Sequence, residues 1–462
     1  MSPLLVALAW LVLSHPDALD AQAAVTSDAH APLAILGVTV IDVARGRGIP
    51  DQTVVVSEGR IVTVGPTPRT RVPRAARVLS GRGKFLIPGL MDTHVHLGWD
   101  IDSAATRELL HEFLAAGVTT VREASSRSTV PEQLDARRRI AAGRMTGPRL
   151  VIAGRIDARA VRRAGVSNPA ALARLWASMG VDGLKIRSGL TREDVTAVIA
   201  EGRQHGLPVF GHTVDTTVSY ATAAIHAGLA GVMHVEPLAR ELTLAAGAEP
   251  DAAPKAGDEA VTAWHWYWYV RWTLVDSAAE DRLARLMVAR GVWLEPTLAI
   301  SAKSVYPDRW RHDPRITRLP ETLARDAADT TSLPIFRGDS LVRGRAAFGR
   351  MMRFVRRVHE LGGDVLTGTD NAPVYAWGIH DELALLVEAG LSPAAALRAA
   401  TLDAARALGL SRKTGTVTPG LAADLVLLDG DPIADIRNTQ KIRAVIVRGR
   451  LLDGALLEPR RH

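Results

Sequence analysis

Phe85-Leu86-Ile87-Pro88-Gly89-Leu90-Met91-Asp92-Thr93-His94-Val95-His96 is the stretch that decides the fold. Its apolar run is interrupted at Pro88-Gly89 and ends on two histidines one residue apart. Alternate side chains of a strand share a face, so His94 and His96 point the same way. Two imidazoles at one strand end can chelate a metal ion. A lone His-x-His also suits core or surface histidines, so the surrounding chain has to decide.

Outward from this stretch, short apolar segments alternate with helical ones. Strand candidates are Thr119-Thr120-Val121, Leu150-Val151-Ile152, Gly183-Leu184-Lys185-Ile186, Pro208-Val209-Phe210, Gly231-Val232-Met233, Trp293-Leu294 and Asp364-Val365-Leu366. Ser103–Ala116, Arg192–His205 and Thr217–Ala227 read as helices between them. Strand-then-helix repetition argues for a parallel sheet, and about eight units suit closure into a (β/α)8 TIM barrel. That barrel is expected over residues 87–409. Segments 240–276 and 301–345 exceed simple connections and are expected to cover its mouth.

Both ends of the chain read differently. Thr53-Val54-Val55-Val56, then Glu58-Gly59-Arg60, then Ile61-Val62-Thr63-Val64 is a hairpin signal. Asp424-Leu425-Val426-Leu427-Leu428 and Ala444-Val445-Ile446-Val447 repeat the strand-and-turn pattern after the barrel. The two ends predict a small composite β-sandwich domain, from residues 24–86 and 410–462, beside an α/β barrel.

Polar residues stand at the tips of the barrel strands, where such folds build their sites. Lys185 lies inside an apolar strand, and a buried lysine is costly unless paired or chemically altered. Burial favours its neutral amine, which can add carbon dioxide to give a carbamate with two oxygens. His212 follows Pro208-Val209-Phe210-Gly211, His234 ends Gly231-Val232-Met233, and Asp370 follows Leu366-Thr367-Gly368-Thr369.

These six residues together resemble the binuclear members of the amidohydrolase superfamily, and more closely its imidazolonepropionase-like and prolidase-like (Xaa-Pro dipeptidase-like) branch. Gly117-Val118-Thr119-Thr120-Val121-Arg122, Gly368-Thr369-Asp370 and Leu391-Ser392-Pro393-Ala394-Ala395-Ala396-Leu397 support the likeness, as does the returning β-segment from Gly415 to Asp431. The resemblance implies that His94, His96 and Asp370 hold an inner metal, His212 and His234 an outer one, and that carbamylated Lys185 bridges both. It implies a hydroxide between the two divalent ions as nucleophile, with Asp370 passing its proton to the leaving amine. Imidazole and oxygen ligands suit zinc, with manganese or iron as alternatives. Dipeptidase relatives carry a tyrosine two residues after the strand-five histidine; Val214 stands there in this chain. Asp215, three residues after His212, faintly resembles the His-x-x-Glu of mononuclear deaminases.

The reading is therefore a hydrolase that cleaves an amide bond of a small molecule: peptide-like, N-acyl or cyclic. The alternatives are an esterase or lactonase using the same site, a mononuclear deaminase, and a non-catalytic ligand-binding barrel. Arg122, Arg187, Tyr220, Trp99, Asn371 and His265 are candidate substrate contacts. His265 belongs to Trp264-His265-Trp266-Tyr267-Trp268-Tyr269, an aromatic cluster that fits core packing, a pocket wall or a membrane-facing patch.

The composition sets the outer limits. The chain has 462 residues, 47% hydrophobic and 23% charged, enough for a large core. A formal charge of +7 comes from scattered arginines, and Arg137-Arg138-Arg139 reads as a solvated helix face, so no nucleic-acid partner is expected. With no cysteine, disulfides, thiolate metal sites and a lipoprotein anchor are excluded. The run Leu4–Leu13 followed by Ala21-Gln22-Ala23 reads as a signal peptide over residues 1–23, although no Lys or Arg precedes it. An exported (periplasmic or secreted) homo-oligomer without a stable membrane anchor is the expectation.

Overall fold

The computed structural model describes residues 31–98, 100–124, 128–187, 189–213, 221–244, 247–249, 263–319, 321–328 and 336–452. Side chains at 263–265, 322 and 326 lie outside that description, as does the expected signal segment.

Two sheets organise the chain. The first holds β1 (Leu33–Asp42), β2 (Arg47–Ser57), β3 (Arg60–Pro66), β4 (Arg77–Ser80) and β5 (Phe85–Pro88). The second holds β6 (Leu90–Val95), β7 (Val118–Glu123), β8 (Arg149–Ile156), β9 (Gly183–Ile186), β10 (Val209–Gly211), β11 (Gly231–Met233) and β12 (Trp293–Glu295). β13 (Leu425–Leu428), β14 (Ile442–Val447) and β15 (Arg450–Leu451) then return to the first sheet, where β13 pairs antiparallel with β5. Glu58 and Gly59 have φ of 50° and 75°, so the β2–β3 hairpin turns with left-handed residues that match the strand twist. Gly420 to Ala423 hydrogen-bonds β3 and the turn before it, which curls the first sheet on itself. Its own core draws on both chain ends, Ile35, Val54 and Leu86 packing with Leu425, Leu427 and Ile446.

The second sheet runs in strict order from β6 to β12, all parallel. Strands covered on both faces read as continuous apolar runs, and β9 and β10 are buried throughout. The eighth expected strand, Asp364-Val365-Leu366, appears as a single bridge from Val365 to Leu294. It still closes the barrel. Leu366 donates to the Leu294 carbonyl at 2.8 Å, Thr93 to the Thr367 carbonyl at 2.9 Å, and Asp370 to the His94 carbonyl at 2.9 Å.

Helices follow the strands as expected, at Ala104–Ala115, Arg192–Gln204 and Ala221–Ala227. The aromatic segment forms the helix Ala263–Val270 and the turn Arg271–Leu274. Trp266, Trp268, Tyr269 and Trp272 are buried in the main core, so their packing is structural. Among the described residues no helix is long and apolar enough to cross a membrane.

Asp424 fastens the first sheet to the barrel. Its buried carboxylate accepts from Arg149 of β8 at 2.9 Å and from the Arg448 backbone at 2.7 Å. Asp424→Ala leaves both donors without it and should cost about 1–3 kcal/mol of stability. A urea midpoint equal to that of the wild type would contradict the tie.

Candidate metal centre

All six expected ligands gather at the C-terminal mouth of the barrel. β6 delivers His94, which is fully buried, and His96 just beyond its end. The ligand atoms of His94, His96 and Asp370 all lie within 4.8 Å of one another. His96 Nε2 is 2.8 Å, and His94 Nε2 3.5 Å, from Asp370 Oδ1. Lys185 on β9 is 1% exposed and sets its Nζ 2.8 Å from His94 Nε2. The ring centroids of His94 and His234 are 4.8 Å apart, those of His212 and His234 4.7 Å.

Local backbone geometry holds this arrangement. His234, Asp370 and Asn371 have φ of 65°, 53° and 62°, and left-handed residues other than glycine concentrate at functional sites. Asp92 ties β6 to the eighth segment, accepting the Thr369 hydroxyl at 2.7 Å and the backbone of His94 at 3.1 Å. Thr297 donates its hydroxyl to the Pro296 carbonyl at 2.8 Å, so its oxygen is left to accept from His234 Nδ1 at 2.8 Å. Glu236 lies 3.8 Å from the same nitrogen, and burial raises its carboxyl to about 8.

Burial sets the charge state of these side chains. It drives the imidazoles of His94 and His212 well below their ordinary value and that of His234 to about 3, so all three are neutral. Burial, helped by the Arg187 cation, lowers the Lys185 amine to about 7. For Asp370, burial pushes the carboxyl up, but the hydrogen bond from His96, with the Lys185 amine nearby, outweighs it and holds the group ionised. His212 Nε2 is buried with no hydrogen-bond partner among the described residues. Neutral imidazoles, an ionised carboxylate and a nitrogen left over fit a borderline divalent cation.

The expected substrate contacts fare differently. Arg122 is 2% exposed and sits beneath these side chains, not in the mouth. Its guanidinium stacks over Phe210 at 3.9 Å and Trp293 at 4.8 Å, donates to the Thr93 carbonyl at 2.7 Å, and pairs with Glu295. Burial and these partners keep it from substrate. Asn371 uses both ends of its amide on the His96 backbone, accepting from its N–H at 3.1 Å and donating to its carbonyl, which makes it a fastener of the His96 loop. Arg187 is half-buried just past β9, within electrostatic reach of Lys185 and Asp370. Trp99 and Tyr220 lie outside the described residues, as does the side chain of His265.

One buried carboxyl of the centre, Glu295, has no place in the sequence reading. It ends the apolar strand Trp293-Leu294-Glu295 as the other site residues end theirs, and that position is the signal that finds it. It is fully buried, and burial raises its carboxyl to about 7 against the pull of Arg122.

Comparison with known proteins shows the family. A family model described as the amidohydrolase family matches residues 85–452. The chain is 27% identical over 410 residues to an imidazolonepropionase of Symbiobacterium thermophilum, covering 82% of this chain and 84% of that one. It is 26% identical over 448 residues to a dihydroorotase of Pelotomaculum thermopropionicum, covering 91% and 95%. A putative prolidase from Bifidobacterium longum has a solved structure that superposes with a TM-score of 0.64 at 25% identity, over 91% of this chain and 94% of that one.

Proposed function

The chain belongs to the amidohydrolase family, and from that premise we propose that it cleaves an amide bond of a small molecule at a binuclear metal centre built by these six side chains. It is a hydrolase acting on carbon–nitrogen bonds. The observation that carries the metal reading is Lys185: a buried amine lowered to about 7, placed 2.8 Å from His94 and surrounded by ligand-type groups. His94, His96 and Asp370 would hold one divalent ion, zinc being the best match to the donors, and His212 and His234 the other.

Lys185 joins the two halves. Its neutral amine attacks carbon dioxide, a carbon–nitrogen bond forms, and one proton leaves, giving a carbamate whose two oxygens can serve both ions. When bound, the ions lower the pKa of a coordinated water and polarise the scissile carbonyl. Asp370 accepts the proton released on attack and returns it to the departing nitrogen. The neutral imidazoles keep their lone pairs for ligation. Arg187, beside Lys185 at the mouth, would meet an anionic group of the substrate.

Two experiments test this. Chelation should abolish the release of free amine from a panel of N-acyl amino acids, dipeptides and cyclic amides, and zinc should restore it. Turnover of the matched esters alone would contradict amide cleavage. The second experiment reloads metal- and carbamate-free protein with zinc at fixed dissolved carbon dioxide. An amine of pKa about 7 is about nine-tenths neutral at pH 8 and about one-tenth at pH 6. Reactivation should therefore run about tenfold faster at pH 8. Equal rates, or recovery without carbon dioxide, would remove the carbamate from the account.

A further inference from the structure

We infer that Glu295, anchored by Arg122, fixes the tautomer of His94 and so keeps His94 Nε2 available to the inner metal; this rests on the reading of His94 as a ligand. His94 Nδ1 and Glu295 Oε1 lie 2.9 Å apart. The two atoms miss hydrogen-bond alignment, yet both are fully buried and neither has another hydrogen-bond partner among the described residues. Leaving both unpaired would be costly, so each serves the other. Ionised in its pair with Arg122, Glu295 offers an oxygen that only accepts, which puts the imidazole proton on Nδ1. The lone pair is then on Nε2, the nitrogen that faces Lys185 at 2.8 Å and Asp370 at 3.5 Å.

The carboxylate is itself held in place. Glu295 Oε2 takes the Thr93 hydroxyl and the Arg122 guanidinium, and Arg122 lies over the Phe210 ring. Gly368 of the eighth segment packs directly on the pair: a Cβ there would lie 2.7 Å from His94 Cβ and 2.8 Å from Glu295 Cδ. A chain of contacts thus runs from the Phe210 ring through Arg122 and Glu295 to His94. Partners of this kind orient metal-binding histidines and raise their basicity. Glu295 is a positioning residue: it acts through His94 and touches no substrate.

The charge relation makes a specific variant informative. In Glu295→Gln the amide must turn its oxygen to Arg122 and Thr93, both donors. Its NH2 group then faces His94 Nδ1, which has to accept. The imidazole proton moves to Nε2 and blocks ligation, although the side chain has hardly changed size. Adding Arg122→Leu removes that demand. Thr93 can donate wholly to the Thr367 carbonyl, already 2.8 Å away, and the amide is free to turn its oxygen to His94.

The test is a zinc titration against a chromophoric chelator, with melting temperatures, on wild type, Glu295→Gln and the Arg122→Leu/Glu295→Gln double variant. Glu295→Gln should weaken zinc binding about 10–100-fold, and the double variant should recover most of that loss. Wild-type affinity in Glu295→Gln, or a double variant no better than the single one, overturns the inference and leaves the metal reading standing. If wild type takes up no zinc, the metal reading fails and the inference with it. Should Glu295→Gln not fold, Glu295→Asp is titrated in its place; it keeps the charge but draws it back from His94. Weaker zinc binding is then expected, and unchanged binding overturns the inference.

Discussion

Asp370→Asn should lower kcat about 10²–10⁴-fold, the range for loss of a positioned acid–base group. Asp370 Oδ1 lies 2.8 Å from His96 Nε2, and against the effect of burial this hydrogen bond leads in holding the carboxyl well below the usual carboxylate range. An ionised carboxylate at that point can take a proton from the attacking water and return it to the amine. Asparagine fills the same space and tolerates the left-handed backbone, φ 53° here. The fold should survive, so the loss reports charge and basicity. Metal content measured in parallel separates impaired ligation from impaired proton transfer. Retention of more than about a tenth of kcat would mean that another group carries the proton.

Lys185→Ala should have an effect of at least similar size, about 10³-fold or more, because it removes one member of an interdependent unit. Its effect on stability should have the opposite sign. The Lys185 amine falls from 10.5 to about 7 on folding, so between those values the unfolded chain binds more protons than the folded one. Stability of the metal-free wild type therefore rises with pH across that window, and the cost of burying the amine is full below about 7. Metal-free Lys185→Ala lacks this cost. It should melt higher than metal-free wild type at pH 7, with the gap closing towards pH 10. A mutant less stable at both pH values would show that the lysine supports the fold, against a role reserved for chemistry.

Much of this centre is legible in the sequence because a parallel barrel brings strand ends to one rim. Lys185 stands out as a polar residue inside an apolar run, and His94, His212, His234 and Asp370 as polar residues at strand tips. What escapes is whatever depends on closure. Glu295 sits on a three-residue strand, too short to show alternation, and its partner Thr93 is 202 residues away. Arg122 reads as a cation near the mouth because sequence alone does not tell interior from rim; stacking on Phe210 and Trp293 decides it. The eighth strand shrinks to one bridge because Thr367 and Asp370 spend their backbone groups on β6, fixing the site in place of extending a ladder. Asn371 attracts a substrate role by its position beside Asp370, and only the contacts show its amide fully engaged with His96.

The most direct test of the central claim is metal content per chain, measured on wild type and Lys185→Ala produced with zinc and bicarbonate. The account predicts about two ions in the wild type and a clear loss in the variant, as expected when a carbamate bridges both sites. One ion in each protein would contradict it, leaving a mononuclear centre in which Lys185 is no ligand.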